Sequence, residues 1–78
     1  MSTTFEELME RSFDIKCHFR LSSYELHHFE DGSYSDFHVQ KVLDLPALVK
    51  LAGGLELKFI HDTNSIIVRL FERESISD

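Results

Sequence analysis

The sequence predicts one α+β domain, 1–78, and three observations carry this prediction. Apolar and polar residues alternate strictly over residues 13–21, an apolar helical stripe runs from Asp44 to Gly53, and two alternating apolar runs flank the polar residues 62–65. We expect a short N-terminal helix, a three-strand antiparallel meander, a second helix and a C-terminal β-hairpin. These elements would give a five-stranded, mainly antiparallel sheet with a helix packed on one face.

The first element is predicted to be a short helix that ends at Ser12. Thr4 and Glu7 have the spacing of a capping box, in which each satisfies a free backbone N–H of the first turn. Three apolar residues lie on one face of this helix, namely Phe5, Leu8 and Met9.

The alternation that follows predicts a half-buried strand over 13–21. Its inward residues are Phe13, Ile15, Cys17, Phe19 and Leu21. Residues 22–31 are ambiguous, because Ser22 could cap a helix that Gly32 ends, or Ser22-Ser23 could be a hairpin turn.

The pairing of side chains across the strands favours the hairpin reading. Turns centred on Ser22-Ser23 and Asp31-Gly32 place strands 24–30 and 33–42 so that their apolar residues form one continuous face. The two rows of this face are Phe19, Leu26 and Phe37, and Leu21, Tyr24 and Val39.

The second helix is bounded by clear signals. Asp44 is a preferred N-cap residue, Pro46 suits the first turn, and Gly53-Gly54 is typical of a helix C-terminus. Its predicted apolar stripe consists of Leu45, Leu48, Val49 and Ala52.

The last hairpin turns over 62–65. Centring the turn on Thr63-Asn64 pairs Phe59 with Val68 and Leu57 with Leu70 on the inner face. The tail 73–78 is polar, and we expect it to fray.

Charge and composition exclude several functions. The chain has 14 acidic and 8 basic residues, a formal charge of −6, and no basic patch, so direct nucleic-acid binding and docking to anionic membranes are not expected. Residues 1–36 contain eight acidic and three basic residues, a net charge of −5. The single Cys17 excludes an internal disulfide, and neither a leader pattern nor a spanning apolar run is visible, which favours the cytoplasm.

Two groups of side chains in the sequence are candidates for chemistry. The predicted register sets His18, His27 and Asp36 in a row, with Glu25 and His38 beside it, which is a donor set that divalent metals accept. No metal-binding motif supports it, so we expect a polar sheet face without a metal or another cofactor. Cys17 near His28 is more simply a core residue, and without a nucleophile, base and oxyanion donor we expect no enzyme.

The outer face of the sheet is predicted to carry more apolar residues than a solvated face needs. Phe29 and Tyr34 pair there on the meander, and Ile60, Ile67 and Phe71 lie on the hairpin. Either the helices or another chain must cover them. The second possibility predicts a small acidic protein-binding module, an inhibitor or adaptor that acts by steric occupancy of a partner protein or of a second copy. The acidic residues Glu30, Asp31 and Asp36 are also expected to bind the partner.

The alternative is an acidic decoy that mimics nucleic acid and blocks a nucleic-acid-binding site on a partner. It depends on the acidic residues of the first half, especially Glu6, Glu7, Glu10, Asp14, Glu30, Asp31 and Asp36. A small acidic chain with one cysteine and no catalytic motif is typical of phage-encoded inhibitors and operon-borne accessory proteins. That likeness is compositional and assigns no role to any residue.

Overall fold

A computed structural model describes residues 3–41, 43–61 and 63–74. The α+β class is confirmed, with two helices and an antiparallel sheet, but the described residues form four strands rather than five. The elements in chain order are α1 (Thr4–His18), β1 (Glu25–His27), β2 (Tyr34–Val39), α2 (Leu45–Ala52), β3 (Leu57–His61) and β4 (Ile66–Phe71). The strand order in the sheet is β1-β2-β4-β3. No helix of the described ranges has the length and apolar character needed to cross a membrane.

The predicted strand over 13–21 is wrong, because α1 continues through it to His18. The helix buries Leu8, Ser12 and Ile15, whose spacing of four and three residues places them on one face. Phe13, predicted to point inward, is 55% exposed, and Cys17 is exposed too. The apolar residues of this segment fit both the two-residue period of a strand and the 3.6-residue period of a helix. In the structure, the helical stripe is the face that packs against the sheet.

The end of α1 lacks the glycine that usually marks such a boundary. Arg20 adopts the left-handed conformation with φ 56°. The N–H of Leu21 donates to the carbonyl of Lys16 at 2.9 Å, and the N–H of Arg20 donates to the carbonyl of Cys17 at 3.3 Å. This is the hydrogen-bond pattern of a Schellman motif.

The hairpin between β1 and β2 is present with a register different from the predicted one. Leu26 pairs with Ser35, whereas the sequence pairing put it opposite Phe37. The connection between the last paired residues, His27 and Tyr34, spans 28–33, and within it the hydroxyl of Ser33 accepts from the N–H of Phe29 at 3.0 Å. A shift of two residues keeps every side chain on its predicted face.

The second helix and the last hairpin are confirmed in position and register. Asp44 precedes α2, and Gly53 ends it in the left-handed conformation, with the Arg11 side chain packed where a Cβ would stand. Leu57 pairs with Leu70 and Phe59 with Val68, as predicted. Residue 62 of the predicted turn lies outside the described residues.

The predicted apolar stripe of α2 is only half correct. Leu48 and Ala52 are buried, whereas Leu45 and Val49 are exposed, Val49 by 60%. Phe59 is 43% exposed although it points to the inner face. Leu45 and Phe59 line a common pocket on the β3 side of the domain.

The pairing of β2 with β4 organises the core. It places Phe37 opposite Val68 and Ser35 opposite Leu70. α1 crosses this face, where the hydroxyls of Ser12 and Ser35 share a buried hydrogen bond of 2.6 Å. The core residues are Leu8, Ile15, Phe37, Val39, Leu48, Ala52, Leu55, Val68 and Leu70. Both helices thus contribute to one face of the sheet.

The segment after β4 is tied to three other parts of the molecule. The carboxylate of Glu72 accepts from the hydroxyl of Thr4 at 2.7 Å and from the N–H of Ser33 at 2.9 Å. Arg73 donates to both carboxylate oxygens of Glu7, at 3.0 and 3.2 Å, and to the carbonyl of Gly53. The tail predicted to fray is therefore anchored at its first residue, and residues 75–78 lie outside the described ranges.

The ion pair of Glu7 with Arg73 predicts a pH-dependent contribution to stability. The hydrogen bonds from Arg73 hold the pKa of the Glu7 carboxyl below its usual value, against the opposing effect of burial. A lowered folded-state pKa stabilises the fold above the unfolded-state pKa of about 4.3, and this contribution is lost as the pH falls through the folded-state value. We expect Glu7→Gln to lower the urea midpoint at pH 7 by more than it does at about pH 3.

The control for this prediction is Glu10→Gln, on the same helix at an exposed position. Urea unfolding of the wild type and both variants at the two pH values measures the difference directly. An equal deficit of Glu7→Gln at both pH values would contradict the prediction.

Candidate functional site

The face of the sheet opposite the helices, called the outer face here, is the candidate site. It consists of the alternate residues of each strand, and the register of the four strands sets them in rows. The first row is His27, Tyr34 and Phe71; the second is Glu25, Asp36, Arg69 and Lys58; the third is His38, Ile67 and Ile60.

The first row is a continuous layer of rings. Tyr34 lies at its centre, with ring centroids 4.8 Å from His27, 5.8 Å from Phe29 and 6.1 Å from Phe71. Phe29 extends the row from the loop after β1 and is 48% exposed. The guanidinium of Arg69 lies 4.2 Å from the centroid of Tyr34, within cation–π distance.

The second row contains the best-defined ion pair of the molecule. Nε and Nη2 of Arg69 donate to the two carboxylate oxygens of Asp36 at 2.8 and 3.0 Å. The side chain of Asp36 is only 7% exposed and that of Arg69 is 26% exposed. The hydrogen bonds to Asp36 raise the pKa of Arg69, against the effect of burial. Asp36 is therefore a structural anion under the ring layer and not the exposed acidic group expected from sequence.

Two histidines border this ion pair. Nε2 of His27 lies 3.6 Å from a carboxylate oxygen of Glu25 and 3.9 Å from one of Asp36, and Nε2 of His38 lies 3.6 Å from Glu25. The sequence-predicted row is therefore wrong, because His27 lies opposite Tyr34 and approaches Asp36 only diagonally, from the neighbouring row. His18 is not part of it, since it lies in the last turn of α1, edge-on to Phe19. Within the described ranges no group of three such side chains has the geometry of a metal site.

The third row is aliphatic. Ile67 and Ile60 pair directly across β4 and β3, and His38 stands on the other side of Ile67. Both isoleucines are half-buried, as are Tyr34 and Phe71 in the first row. The outer face therefore presents two apolar rows separated by a charged row.

The other predicted site residues lie outside these rows. Glu30 and Asp31 are exposed in the loop between β1 and β2. The suggested pair of Cys17 and His28 does not form: His28 stacks on Phe5 at 4.0 Å, near the start of α1, and Cys17 lies about three turns further along that helix.

Sequence reasoning missed the role of Arg69. Its partner Asp36 lies 33 residues away in the sequence, and no local pattern indicates that β2 lies beside β4. Ser12 was missed as well. A small polar residue between Leu8 and Ile15 at helical spacing is a signal for a helix face that includes a hydrogen-bonded contact.

Comparison with known proteins identifies no relative of this chain. No protein-family model matches the chain, and neither a curated protein nor a solved structure was found to be similar to it.

Proposed function

We propose that the chain is a protein-binding module that acts by occupying the surface of a partner through its outer face. The observation that supports this most is the position of the two apolar rows. Both helices belong to the opposite face, so the rings around Tyr34 and the isoleucine pair have no covering element within the described residues.

The outer face has the chemical character of an interface. Aromatic residues and arginine are enriched at the centre of protein interfaces, where rigid rings bury large areas at low entropic cost. Tyr34 is held in place by Phe71, His27 and the guanidinium of Arg69, which is itself fixed by Asp36. Such a preorganised surface loses little side-chain freedom on binding.

The small size of the domain favours the same conclusion. A core of this size supplies about 3–5 kcal/mol of net stability, so burial of the outer face by a partner would add a useful margin. An inhibitor or adaptor that acts by steric occupancy of a partner requires no catalytic group. A second copy of the chain is the nearest variant of this function, because an isologous dimer uses one patch on both subunits.

The test compares capture of a partner by the outer face with capture by another exposed apolar position. The face variant is the double substitution Phe29→Ser and Ile67→Thr, and the control is Val49→Ser on α2. We expect affinity capture from the source lysate, followed by mass spectrometry, to recover the same protein with the wild type and with Val49→Ser. The face variant should lose it.

Three results would contradict or redirect this proposal. If the face variant still captures the partner, the outer face is excluded as the binding surface. A strictly monomeric protein in light scattering that captures nothing would contradict binding to a partner and to itself. Capture that disappears with rising salt, in the wild type, would instead support the acidic decoy, because exposed charges are screened.

A further inference from the structure

The free edge of β3 is a second feature that the proposed function does not use. Among the described strands, β3 pairs with β4 alone and is therefore an edge strand. The N–H of Phe71 donates to the carbonyl of Glu56 at 3.0 Å, so the backbone of residue 56 faces β4. The N–H and C=O groups of successive residues point to opposite sides of a strand, so those of Lys58 and Ile60 also point toward β4. Leu57, Phe59 and His61 present their N–H and C=O groups to the open side.

An apolar cavity lies next to this edge on the inner face. Its volume is about 180 Å³, and its apolar walls come from four parts of the fold through Val39, Leu45, Phe59 and Ile66. A cavity of about 150 Å³ with such a lining accepts a benzene ring. The side chain of Phe59 forms one wall and is itself 43% exposed. The volume is therefore sufficient for a phenyl or a branched aliphatic side chain.

The free edge and the cavity have the geometry of one site. The residues whose backbone groups are free, Leu57, Phe59 and His61, are also those whose side chains point to the inner face. A strand added to β3 would bond to them and would direct every second side chain to the inner face. The side chain opposite Phe59 would then lie beside the cavity. Backbone pairing with a pocket for alternate side chains is how proteins bind extended peptides at a sheet edge.

The positive charge of Lys58, on the outer face of β3, favours one kind of segment at this edge. In the second row, Lys58 lies opposite Arg69, whose guanidinium is already bound to Asp36. Like charges directly opposite each other are unfavourable in a sheet, and Lys58 has no ion-pair partner among the described residues. An acidic side chain opposite Lys58 on the added strand would offset this charge. In a second copy paired antiparallel through its own β3, Glu56 would lie opposite Lys58 only in the register that sets Leu55 opposite Phe59. Leu55 is buried in the core of its own domain, so that register offers no apolar side chain to the cavity.

We propose that the β3 edge binds an extended segment of a partner protein. This segment alternates large apolar and polar residues, inserts one apolar side chain beside Phe59 and places an acidic residue opposite Lys58. The site is separate from the ring layer of the outer face, so it can be tested independently of the proposed function.

The probe is the blocked peptide acetyl-Thr-Val-Thr-Phe-Glu-Val-Thr-amide, whose Phe and Glu would lie opposite Phe59 and Lys58 in an antiparallel pairing. We expect saturable binding in an NMR titration of the whole protein. Amide hydrogen exchange should slow at Leu57, Phe59 and His61, whose N–H groups gain acceptors. Lys58 and Ile60, already bonded to β4, serve as internal controls and should change little.

Two peptide variants test the backbone and the charge. N-methylation of the peptide Phe removes an N–H that points to β3 and should abolish binding, whereas N-methylation of the Glu, which points away, should not. Replacing the peptide Glu by Lys should weaken binding about fivefold. In Lys58→Glu this preference should reverse, and the lysine peptide should bind more tightly.

Phe59→Ser tests the pocket. Because Phe59 is partly exposed, this variant is expected to fold, which the dispersion of its NMR spectrum checks, and to bind the peptide about tenfold more weakly. Absence of binding by the wild type at millimolar peptide, or protection confined to β1, would overturn the proposal. Concentration-dependent dimerisation that protects Leu57, Phe59 and His61 without peptide would show that a second copy is the occupant and would overturn it too. None of these outcomes depends on the Phe29 and Ile67 variants.

Discussion

Phe37→Ala is expected to unfold the protein at room temperature. Phe37 has no exposed surface, lies on the central strand β2 opposite Val68, and contacts the ring of Tyr24 with centroids 5.5 Å apart. Truncating a buried phenylalanine costs about 3–5 kcal/mol, through lost transfer energy and the cavity left behind. A domain of this size has a total stability of about the same magnitude. Circular dichroism during thermal and urea unfolding should show no cooperative transition.

The matched control is Phe13→Ala, which makes the same chemical change on α1. Phe13 is 55% exposed, so its truncation should cost less than about 1 kcal/mol and preserve a cooperative transition. The comparison also distinguishes the observed helix from the strand expected over 13–21, because in that strand the side chain of Phe13 would point inward, as that of Phe37 does. Equal destabilisation by the two substitutions would contradict the position of Phe13 on the helix surface.

The parts of the fold that could be predicted are those whose determinants are local. The β3–β4 hairpin was predicted in register, because the turn around Thr63-Asn64 is short and a one-residue slip would invert both apolar rows. The boundaries of α2 were predicted from Asp44 and Gly53: Asp44 stands at the N-cap position, although its side chain makes no capping hydrogen bond, and Gly53 ends the helix in the left-handed conformation. The C-terminus of α1 has no such marker. Arg20 occupies the position where a glycine would have indicated the end of a helix.

The sequence could predict which face of the sheet the site residues occupy, but not which of them are in contact. Tyr34 and Phe71 were each assigned to an outer face from the alternation within their own hairpins, and both lie there. Their contact at 6.1 Å depends on the pairing of β2 with β4, which links residues far apart in sequence. The same long-range pairing turned Asp36 from an expected surface acid into the partner of Arg69.

Arg69→Met is expected to cost about 2–3 kcal/mol, because it leaves the carboxylate of Asp36 without its cation on a side chain that is 7% exposed. Removing one partner of a fully buried ion pair costs about 3–5 kcal/mol, and the 26% exposure of Arg69 reduces this value. The stack of the guanidinium on Tyr34 is lost as well. Urea unfolding at pH 7 measures the loss, and Lys58→Met, in the same row, is the control expected to change stability by less than about 0.5 kcal/mol.

The double variant Asp36→Val, Arg69→Met decides whether the pair itself or the stranded charge accounts for this loss. Apolar residues in place of both partners of an ion pair often leave stability unchanged, because the desolvation cost disappears together with the attraction. We therefore expect the double variant to be more stable than Arg69→Met alone, which the coupling energy of the double-mutant cycle would report. A double variant as unstable as the sum of the two single variants would show that Asp36 and Arg69 act independently, against the geometry of their two hydrogen bonds at 2.8 and 3.0 Å.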